Sequence, residues 1–209
     1  KNLIVLSAMS GTTNSLVEIS DYLYKKNPDG ANEIINKLSQ KYFGHIDELY
    51  ATEAYKEKAR ELVTFHFDHI RSFTKDLFTL FEEKVVLAQG ELISTGMMNL
   101  YLQEQGVNSV LLPALDFMRT DKNAEPDPVY IKEKLNRLLE ENADADLYIT
   151  QGYICRNAYG EIDNLQRGGS DYTASLIGAA LPADEIQIWT DIDGMHNNDP
   201  RVVEHTEAG

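Results

Sequence analysis

The segment RGGSDYTA, Arg167 to Ala174, places a forked cation, two glycines, a hydroxyl and a carboxylate directly before an amphipathic helix. Adjacent glycines let the backbone approach a ligand closely and adopt positive φ angles. Free N–H groups at a helix start favour an anion, and an arginine fork can grip a carboxylate or a phosphate. Ser170 can bind a ligand or cap the helix, and Asp171 can complement an ammonium group or orient a reacting one. The alternative is a glycine hinge with a serine cap and a surface Arg–Asp pair.

A second polar turn, SAMSGTTN, runs from Ser7 to Asn14 after an apolar, strand-like run. Its small hydroxyl residues are suited to line a polar pocket. A hydroxyl-stabilised turn followed by a helix capped at Asn14 or Ser15 explains the same residues equally well.

The segment QGELIST places Glu91 among apolar residues of a helical stretch, between Leu87–Ala88 and Leu92–Ile93. A carboxylate in apolar surroundings requires a cationic partner, supplied by the protein or by a ligand. The alternative is a solvated glutamate on the outer face of the helix.

A third polar segment, WTDIDGMHNNDPR, ends at Arg201 and contains three aspartates. It is not a calcium loop, because alignment on Gly194 places Trp189 at the first ligand position and Pro200 at the twelfth. Asp191 and Arg201 at a strand end suit the polar groups of a nucleotide. An ordinary Asp-Gly hairpin is the alternative.

Other catalytic patterns are not found. The sequence has no GxxxxGK[ST], GxGxxG, GxSxG or paired CxxC, which excludes the P-loop and protein-kinase designs. His66 and His69 form an H-x-x-H pair without a third ligand, so a solvated helix face is favoured over a metal site. Cys155 lies in an apolar run and is expected to be a buried, unreactive thiol.

Composition limits the partners. The 209 residues carry a net charge of −15, which disfavours nucleic acid and anionic membranes as partners. No apolar run approaches the roughly 20 residues of a membrane span. A single cysteine fits a reducing compartment, and we expect a cytoplasmic protein.

The spacing of apolar residues predicts an α/β fold with a mainly parallel sheet. Helices are expected from Ser15 to about Gln105, with a break at residues 28–30, and again over residues 132–142 and after Ser170. Ligands of such sheets collect at the carboxyl ends of the strands, where the polar segments lie. The predicted strands lie in NLIVLSA, SVLLPA, ADLYITQGYI and EIQIWTDIDG.

Five motifs in this order, LIVLSAMSGTTN, GELIS, TQGYI, RGGSDYTA and WTDIDGMHNNDPR, resemble those of the aspartokinases, within the amino acid kinase family. The resemblance extends from Leu3 to about Arg201. It implies a three-layer α/β/α sandwich that transfers the γ-phosphate of ATP to the β-carboxylate of L-aspartate. It further implies Mg²⁺, held mainly by the nucleotide phosphates without a protein ligand, and a homodimer or larger homo-oligomer.

The resemblance also implies roles for individual residues. Arg167 would clamp a substrate carboxylate, Glu91 would face the substrate ammonium, and Tyr153 would cover the substrate. Asp171 would orient the reacting groups as the catalytic residue. Thr13 and Ser170 would complete the aspartate pocket, and the phosphate and nucleotide side would be formed by Ser7, Gly11, Gly168, Gly169, Thr190, Asp191, His196 and Arg201.

Two departures from the family pattern are expected to matter. No segment matches the opening strand with Lys-Phe-Gly-Gly-Thr-Ser, and regulatory ACT domains would follow the end of this chain. Residues 1–209 are therefore expected to be a catalytic domain truncated at both ends and inactive alone. His196 replaces a frequent tyrosine. The remaining alternatives are another amino acid kinase, such as a glutamate kinase, and a non-catalytic amino-acid-binding module.

Overall fold

The structure of the protein is a computed structural model that describes residues 1–75, 77–166, 168–182, 184–191 and 202–205, with only the backbone of residue 191 and of 202–205. In chain order the elements are β1 (Asn2–Leu6), α1 (Thr12–Tyr24), α2 (Pro28–Leu49), α3 (Glu53–Ser72), a 3₁₀ turn (Phe73–Lys75), α4 (Leu80–Glu104), β2 (Ser109–Leu111), α5 (Ala114–Phe117), α6 (Pro128–Glu141), β3 (Leu147–Gln151), β4 (Ile154–Arg156), β5 (Ile162–Asn164), α7 (Gly169–Ala180), β6 (Gln187–Asp191) and β7 (Val202–His205).

The central sheet has the strand order β2-β3-β1-β6-β7. The first four strands are parallel, and β7 pairs antiparallel with β6. Leu6 lies opposite Gln151 on one side and Asp191 on the other, so β1, β3 and β6 end at the same level. This register brings the turns that follow the three strands to one edge of the sheet.

Helices cover both faces of the sheet, as the predicted three-layer sandwich requires. One core, formed mainly by α1 to α4, includes the fully buried side chains of Ile19, Ile35 and Phe67. The other core, around the sheet and α5 to α7, includes Phe117, Leu135 and Ile177, and the central-strand residues Leu3 and Val5 belong to it.

Three helix starts differ from the sequence expectation. α6 begins at Pro128 and not near residue 132, because the side chain of Asp127 caps it by accepting a hydrogen bond from the N–H of Tyr130. α1 begins at Thr12 after Gly11 in the left-handed region, so Asn14 and Ser15 lie inside the helix and do not cap it. Pro28 begins α2, because the side chain of Asn27 accepts a hydrogen bond from the N–H of Gly30 and proline fits a first helical position. The short break between α1 and α2 therefore precedes Pro28.

Three strands were not predicted from the sequence. β4 and β5 form a small antiparallel hairpin between β3 and α7, and β7 is an antiparallel edge strand. Within the part of the chain that the structure describes, no helix is both long and apolar enough to span a membrane.

Candidate active site

The turn after β1 carries the start of α1 to the carboxyl edge of the sheet. Gly11 has a φ of 83°, which glycine adopts without strain, and the N–H of Thr12 donates to the carbonyl of Met9 at 3.0 Å. Thr12 is buried with its Oγ1 2.6 Å from the hydroxyl of Tyr42, whereas Thr13 is exposed in the first turn. The N-terminal end of α1 and the hydroxyl of Thr13 thus lie where an anion would be stabilised.

The start of α7 packs against the end of β3. Gly168 and Gly169 have φ angles of 74° and 49°, and α7 begins directly after Gly168. A Cβ added to Gly152 would lie 2.7 Å from Cα and 2.8 Å from Cβ of Ser170. Only a glycine at position 152 permits this approach, so residue 152 fixes the distance between the sheet and the start of α7.

Two side-chain contacts join the strand ends to α7. The hydroxyl of Ser7 donates to Oγ of Ser170 at 3.3 Å, which links the turn after β1 to the first turn of α7. The hydroxyl of Thr190, at the end of β6, donates to Oδ1 of Asp171 at 3.1 Å. Thr190 is buried and Asp171 is exposed, so the hydrogen bond from Thr190 holds the Asp171 carboxylate at the protein surface.

Glu91 is buried next to the turn after β1. Its side chain is 4% exposed, and its Oε2 has no hydrogen-bond partner among the described residues. Burial raises its pKa to about 8, although the backbone N–H groups of Glu91 and Ala8 act in the opposite direction. The alternative of a solvated glutamate on the outer helix face is therefore wrong, and only the ionised form of Glu91 requires a cationic partner.

The fit between α4 and the turn after β1 explains this burial. A Cβ added to Gly90 would lie 2.9 Å from Cβ of Ala8, so the helix lies directly against the turn. The hydroxyl of Ser94 donates to the carbonyl of Ser7 at 2.7 Å. α4 therefore holds Glu91 and the end of β1 in a fixed relation.

Tyr153 follows β3 in the left-handed region, with a φ of 73°. A residue other than glycine adopts this conformation only when its surroundings hold it there. The N–H of Tyr153 donates a hydrogen bond to the hydroxyl of Thr173 at 2.9 Å, and the carbonyl of Tyr153 accepts one from the N–H of Leu165 at 2.8 Å. Burial, followed by the charge of Glu91, raises the pKa of the half-buried Tyr153 phenol, which places this side chain within electrostatic reach of Glu91.

A buried polar chain supports the site from inside the fold. Nε2 of Gln151 donates to the hydroxyl of Thr95 at 2.9 Å, and its Oε1 accepts from the N–H of Ala114 at 2.8 Å. The hydroxyl of Thr95 donates to the carbonyl of Glu91 at 2.7 Å. Because these groups are fully buried and satisfied, they hold the end of β3 against α4.

The model of the amino acid kinase family matches residues 1–208. The chain belongs to the amino acid kinase family. The fold expectation drawn from its motifs is thereby confirmed.

Individual family members are similar over most of this chain. Lysine-sensitive aspartokinase 3 of Escherichia coli K12 is 32% identical over 207 residues, which are 96% of this chain and 44% of that protein. The bifunctional aspartokinase/homoserine dehydrogenase 2 of the same organism is 30% identical over 209 residues, 97% of this chain and 25% of that protein. The chain thus spans less than half the length of these relatives.

Solved structures agree with these similarities. The crystal structure of E. coli aspartokinase III in complex with aspartate and ADP has a TM-score of 0.74 and 30% identity, covering 90% of this chain and 42% of that one. Aspartate kinase of Clostridium acetobutylicum has a TM-score of 0.64 at 22% identity, covers 91% of this chain and 41% of that one, and shows the fold alone.

Three of the expected family residues lie outside the described residues, namely Arg167, His196 and Arg201. Asp191 is described by its backbone alone, at the end of β6. The structure brings together the other expected residues, Ser7, Gly11, Thr13, Glu91, Tyr153, Gly168, Gly169, Ser170, Asp171 and Thr190, at the carboxyl edge of the sheet or on the helices packed there.

Sequence reasoning missed the supporting residues Tyr42, Ser94, Thr95, Gln151 and Thr173. Ser94 and Thr95 follow Glu91 by three and four positions, a spacing that places polar groups on one face of a helix. That spacing could have identified Ser94 and Thr95 as neighbours of Glu91. No sequence feature identified Tyr42, since it occupies an ordinary apolar position of α2.

The residues considered in the sequence as a metal-binding pair or a reactive thiol do not belong to the site. Nδ1 of the half-buried His66 lies 2.7 Å from Oε1 of Gln89, and burial lowers the pKa of the His66 imidazole. His69 is exposed. No group of three His, Cys, Asp or Glu side chains arranged to hold a metal occurs among the described residues. Cys155 is buried, as expected, and burial raises its pKa to about 12, so its thiol stays protonated.

Proposed function

We propose that this chain is the catalytic domain of an aspartokinase, which transfers the γ-phosphate of ATP to the β-carboxylate of L-aspartate. The product is 4-phospho-L-aspartate, and the reaction is the first step of lysine, threonine and methionine biosynthesis. The observation that carries the proposal is the buried Glu91 carboxylate, whose Oε2 has no hydrogen-bond partner among the described residues, at an edge of the sheet where two helix starts favour anions. An amino acid with one ammonium and two carboxylate groups complements that arrangement. The relatives named aspartokinase, one of them solved with aspartate and ADP, support it.

The acceptor side of the proposed site follows from charge. The ammonium group of aspartate would lie against Glu91 and supply the counterion that the apolar surroundings of this carboxylate require. Its carboxylates would be held by Arg167 and by the hydroxyl groups of Thr13 and Ser170. Tyr153 would cover the bound molecule and exclude water from the reacting atoms.

The donor side would use the backbone and the other strand ends. Ser7, Gly11, Gly168 and Gly169 would present N–H groups to the phosphates, and Thr190, Asp191, His196 and Arg201 would contact the nucleotide. Mg²⁺ would be carried mainly by the nucleotide phosphates, and we assign it no protein ligand.

In the reaction, an oxygen of the β-carboxylate attacks the γ-phosphorus, the new O–P bond forms, and the bond to the bridging β–γ oxygen breaks as ADP leaves. Both reactants are anionic, so catalysis requires alignment and charge neutralisation rather than covalent help. Asp171, which accepts a hydrogen bond from Thr190, would orient the groups around the transferring phosphate.

Two other functions are compatible with the same site. Another amino acid kinase, such as a glutamate kinase, would use the same donor side with a longer diacid. A non-catalytic module would bind the amino acid without turnover. For the complete protein we propose a cytoplasmic homodimer or larger homo-oligomer without nucleic acid or membrane partners.

The test is ATP-dependent ADP release by the complete gene product with Mg²⁺ and one acceptor at a time. L-aspartate, L-glutamate and N-acetyl-L-glutamate are offered separately, with an acceptor-free reaction as the blank. We expect turnover with L-aspartate alone. Turnover with another acceptor would refute the assignment of L-aspartate as the substrate. Binding of aspartate without ADP release would favour the non-catalytic binding module.

A further inference from the structure

The β4–β5 hairpin connects the two glycine-containing turns of the site. Tyr153 immediately precedes β4, and two residues separate β5 from position 167 and the turn at Gly168. The hydrogen bond from the N–H of Leu165 to the carbonyl of Tyr153 closes the base of the hairpin. A displacement of β5 would therefore also move Tyr153 and the start of α7.

A lysine of α4 binds this hairpin. Nζ of Lys84 lies 3.0 Å from Oδ1 of Asp163 and 3.0 Å from Oδ1 of Asn164, both in β5. The side chains of Lys84 and Asp163 are each 20% exposed. In every other ion pair formed between residues that the structure describes, at least one side chain is more than half exposed. Water and salt therefore screen the Lys84–Asp163 attraction less than those of the surface pairs.

The position of Lys84 on α4 relates the hairpin to Glu91. The two residues are seven positions apart, which is nearly two complete turns and places them on the same face of the helix. α4 thus carries the buried Glu91 carboxylate, and two turns closer to its N-terminus it contacts the hairpin through Lys84. The hairpin has a second attachment at its other strand, since the N–H of Thr120 donates to the carbonyl of Arg156 at 2.9 Å. Lys84 is the attachment on the β5 side, from which the chain enters α7.

We propose that Lys84 and Asp163 are positioning residues, which hold β5 against α4 and thereby set the location of Tyr153 and of the Gly168–Gly169 turn relative to Glu91. Neither residue contacts the reacting atoms. In the proposed site Tyr153 and Ser170 face the acceptor with their side chains, whereas Gly168 and Gly169 contribute only backbone N–H groups to the donor side. The pair therefore controls affinity for the acceptor amino acid more than affinity for the nucleotide. The inference rests on the proposed function in naming aspartate as that acceptor.

The kinetic test uses the complete gene product with Lys84→Met, Asp163→Asn, the double variant and Lys84→Arg. We expect each single neutral variant to raise the KM for aspartate about tenfold while the KM for ATP stays within twofold. The double variant is expected to be no worse than either single one, because both remove the same interaction. Lys84→Arg keeps the charge and is expected to restore most of the affinity. Lys37→Met, which removes the lysine of the exposed Lys37–Glu33 pair, is the control and should change neither KM.

The second measurement, amide hydrogen exchange of the ligand-free protein, does not depend on activity. Lys84→Met is expected to speed exchange at residues 162–166 at least tenfold and to leave α2 unchanged. Unchanged exchange, or faster exchange with an unaltered KM for aspartate, would overturn the positioning role. If the wild-type protein turned over no acceptor, the proposed function would fail while the exchange data still decided whether Lys84 holds the hairpin. If the wild type turned over aspartate normally and both neutral variants kept its KM for aspartate, the positioning role of Lys84 and Asp163 would be rejected. The proposed function would be unaffected.

Discussion

At the scale of single residues, the Glu91 carboxyl group has two conflicting requirements. Its ionised form is disfavoured by the apolar surroundings, yet a bound ammonium group would require that form. The ligand-free protein therefore keeps the carboxyl protonated up to a pH of about 8, and a cationic ligand would shift the equilibrium toward the carboxylate. Two predictions follow, one for stability and one for binding.

The first prediction concerns Glu91→Gln in the ligand-free protein. The folded-state pKa of Glu91 is raised to about 8 from an ordinary value of 4.5, so the wild type loses stability as the pH rises between those two values. Glutamine has no charge to bury. Near pH 4.5 the variant and the wild type should have similar free energies of unfolding, and near pH 9 the variant should be more stable by a few kcal/mol, since one pKa unit corresponds to about 1.4 kcal/mol.

Urea denaturation at pH 5, 7 and 9 measures this difference. The matched control is Glu18→Gln on the exposed face of α1, which removes the same charge without burial. A stability difference between Glu91→Gln and the wild type that did not grow with pH would contradict a protonated carboxyl in the ligand-free protein.

The second prediction concerns aspartate binding. If the ligand ammonium group pairs with ionised Glu91, binding near pH 7 releases a proton, and wild-type affinity for aspartate rises between pH 6 and 8. Glu91→Gln should lose this pH dependence and bind aspartate roughly 10- to 100-fold more weakly, because a charged hydrogen bond contributes about 1.5–3 kcal/mol. Calorimetry of the complete gene product in buffers of different ionisation enthalpy counts the protons. Pairing would be refuted by binding without proton release and with unchanged affinity in the variant.

At the scale of elements, the close packing of β3 against α7 depends on one missing side chain. A Cβ at position 152 would meet backbone as well as side-chain atoms of Ser170, and the backbone cannot move aside without displacing the start of α7. We predict that Gly152→Ala costs about 1–3 kcal/mol of stability, the usual range for overpacking, and raises the KM for aspartate. Thermal unfolding and acceptor kinetics check both effects.

Gly44 is the matched control for that substitution. It lies inside α2, and a Cβ built there would have no neighbour within 4 Å. Gly44→Ala should therefore stabilise the protein by about 0.5–1 kcal/mol, since alanine favours a helix interior over glycine. A stabilising effect of both substitutions would show that the contact with Ser170 does not decide the outcome at position 152.

The elements differ in how far the sequence could predict them. The long helices were predictable because their apolar residues follow the helical period, and the four parallel strands because they lie in short continuous apolar runs. The strands β4, β5 and β7 lie in no such run, since polar residues make up part of each, and β4 and β5 are short as well. The site motifs were visible as polar segments at strand ends. The contact between Gly152 and Ser170 was not, because it depends on how two separate elements pack.

At the scale of the whole molecule, β1 couples the two helical layers. It is central in the sheet, paired with β3 and β6, and its register brings the site turns together. α4 joins the same layers, since it packs against β1 and β3 as well as α1 and α3. A chain connected in this way is expected to unfold as one cooperative unit, although one of its two cores is formed mainly by the helices α1 to α4.

Trp189 provides the test of this cooperativity. It is the single tryptophan, it lies in β6 opposite Ile4 of β1, and it reports on the sheet, whereas far-ultraviolet ellipticity reports mainly on the helices. Phe67→Ala in α3 removes a fully buried ring and should cost about 3–5 kcal/mol. Phe65→Ala, two positions away on the same helix, removes a ring that is 67% exposed and should change stability by less than about 0.5 kcal/mol. If both layers unfold together, Phe67→Ala shifts the Trp189 fluorescence and the ellipticity transitions equally. A shift in ellipticity alone would mean that the helical layer opens while the sheet and its site remain folded.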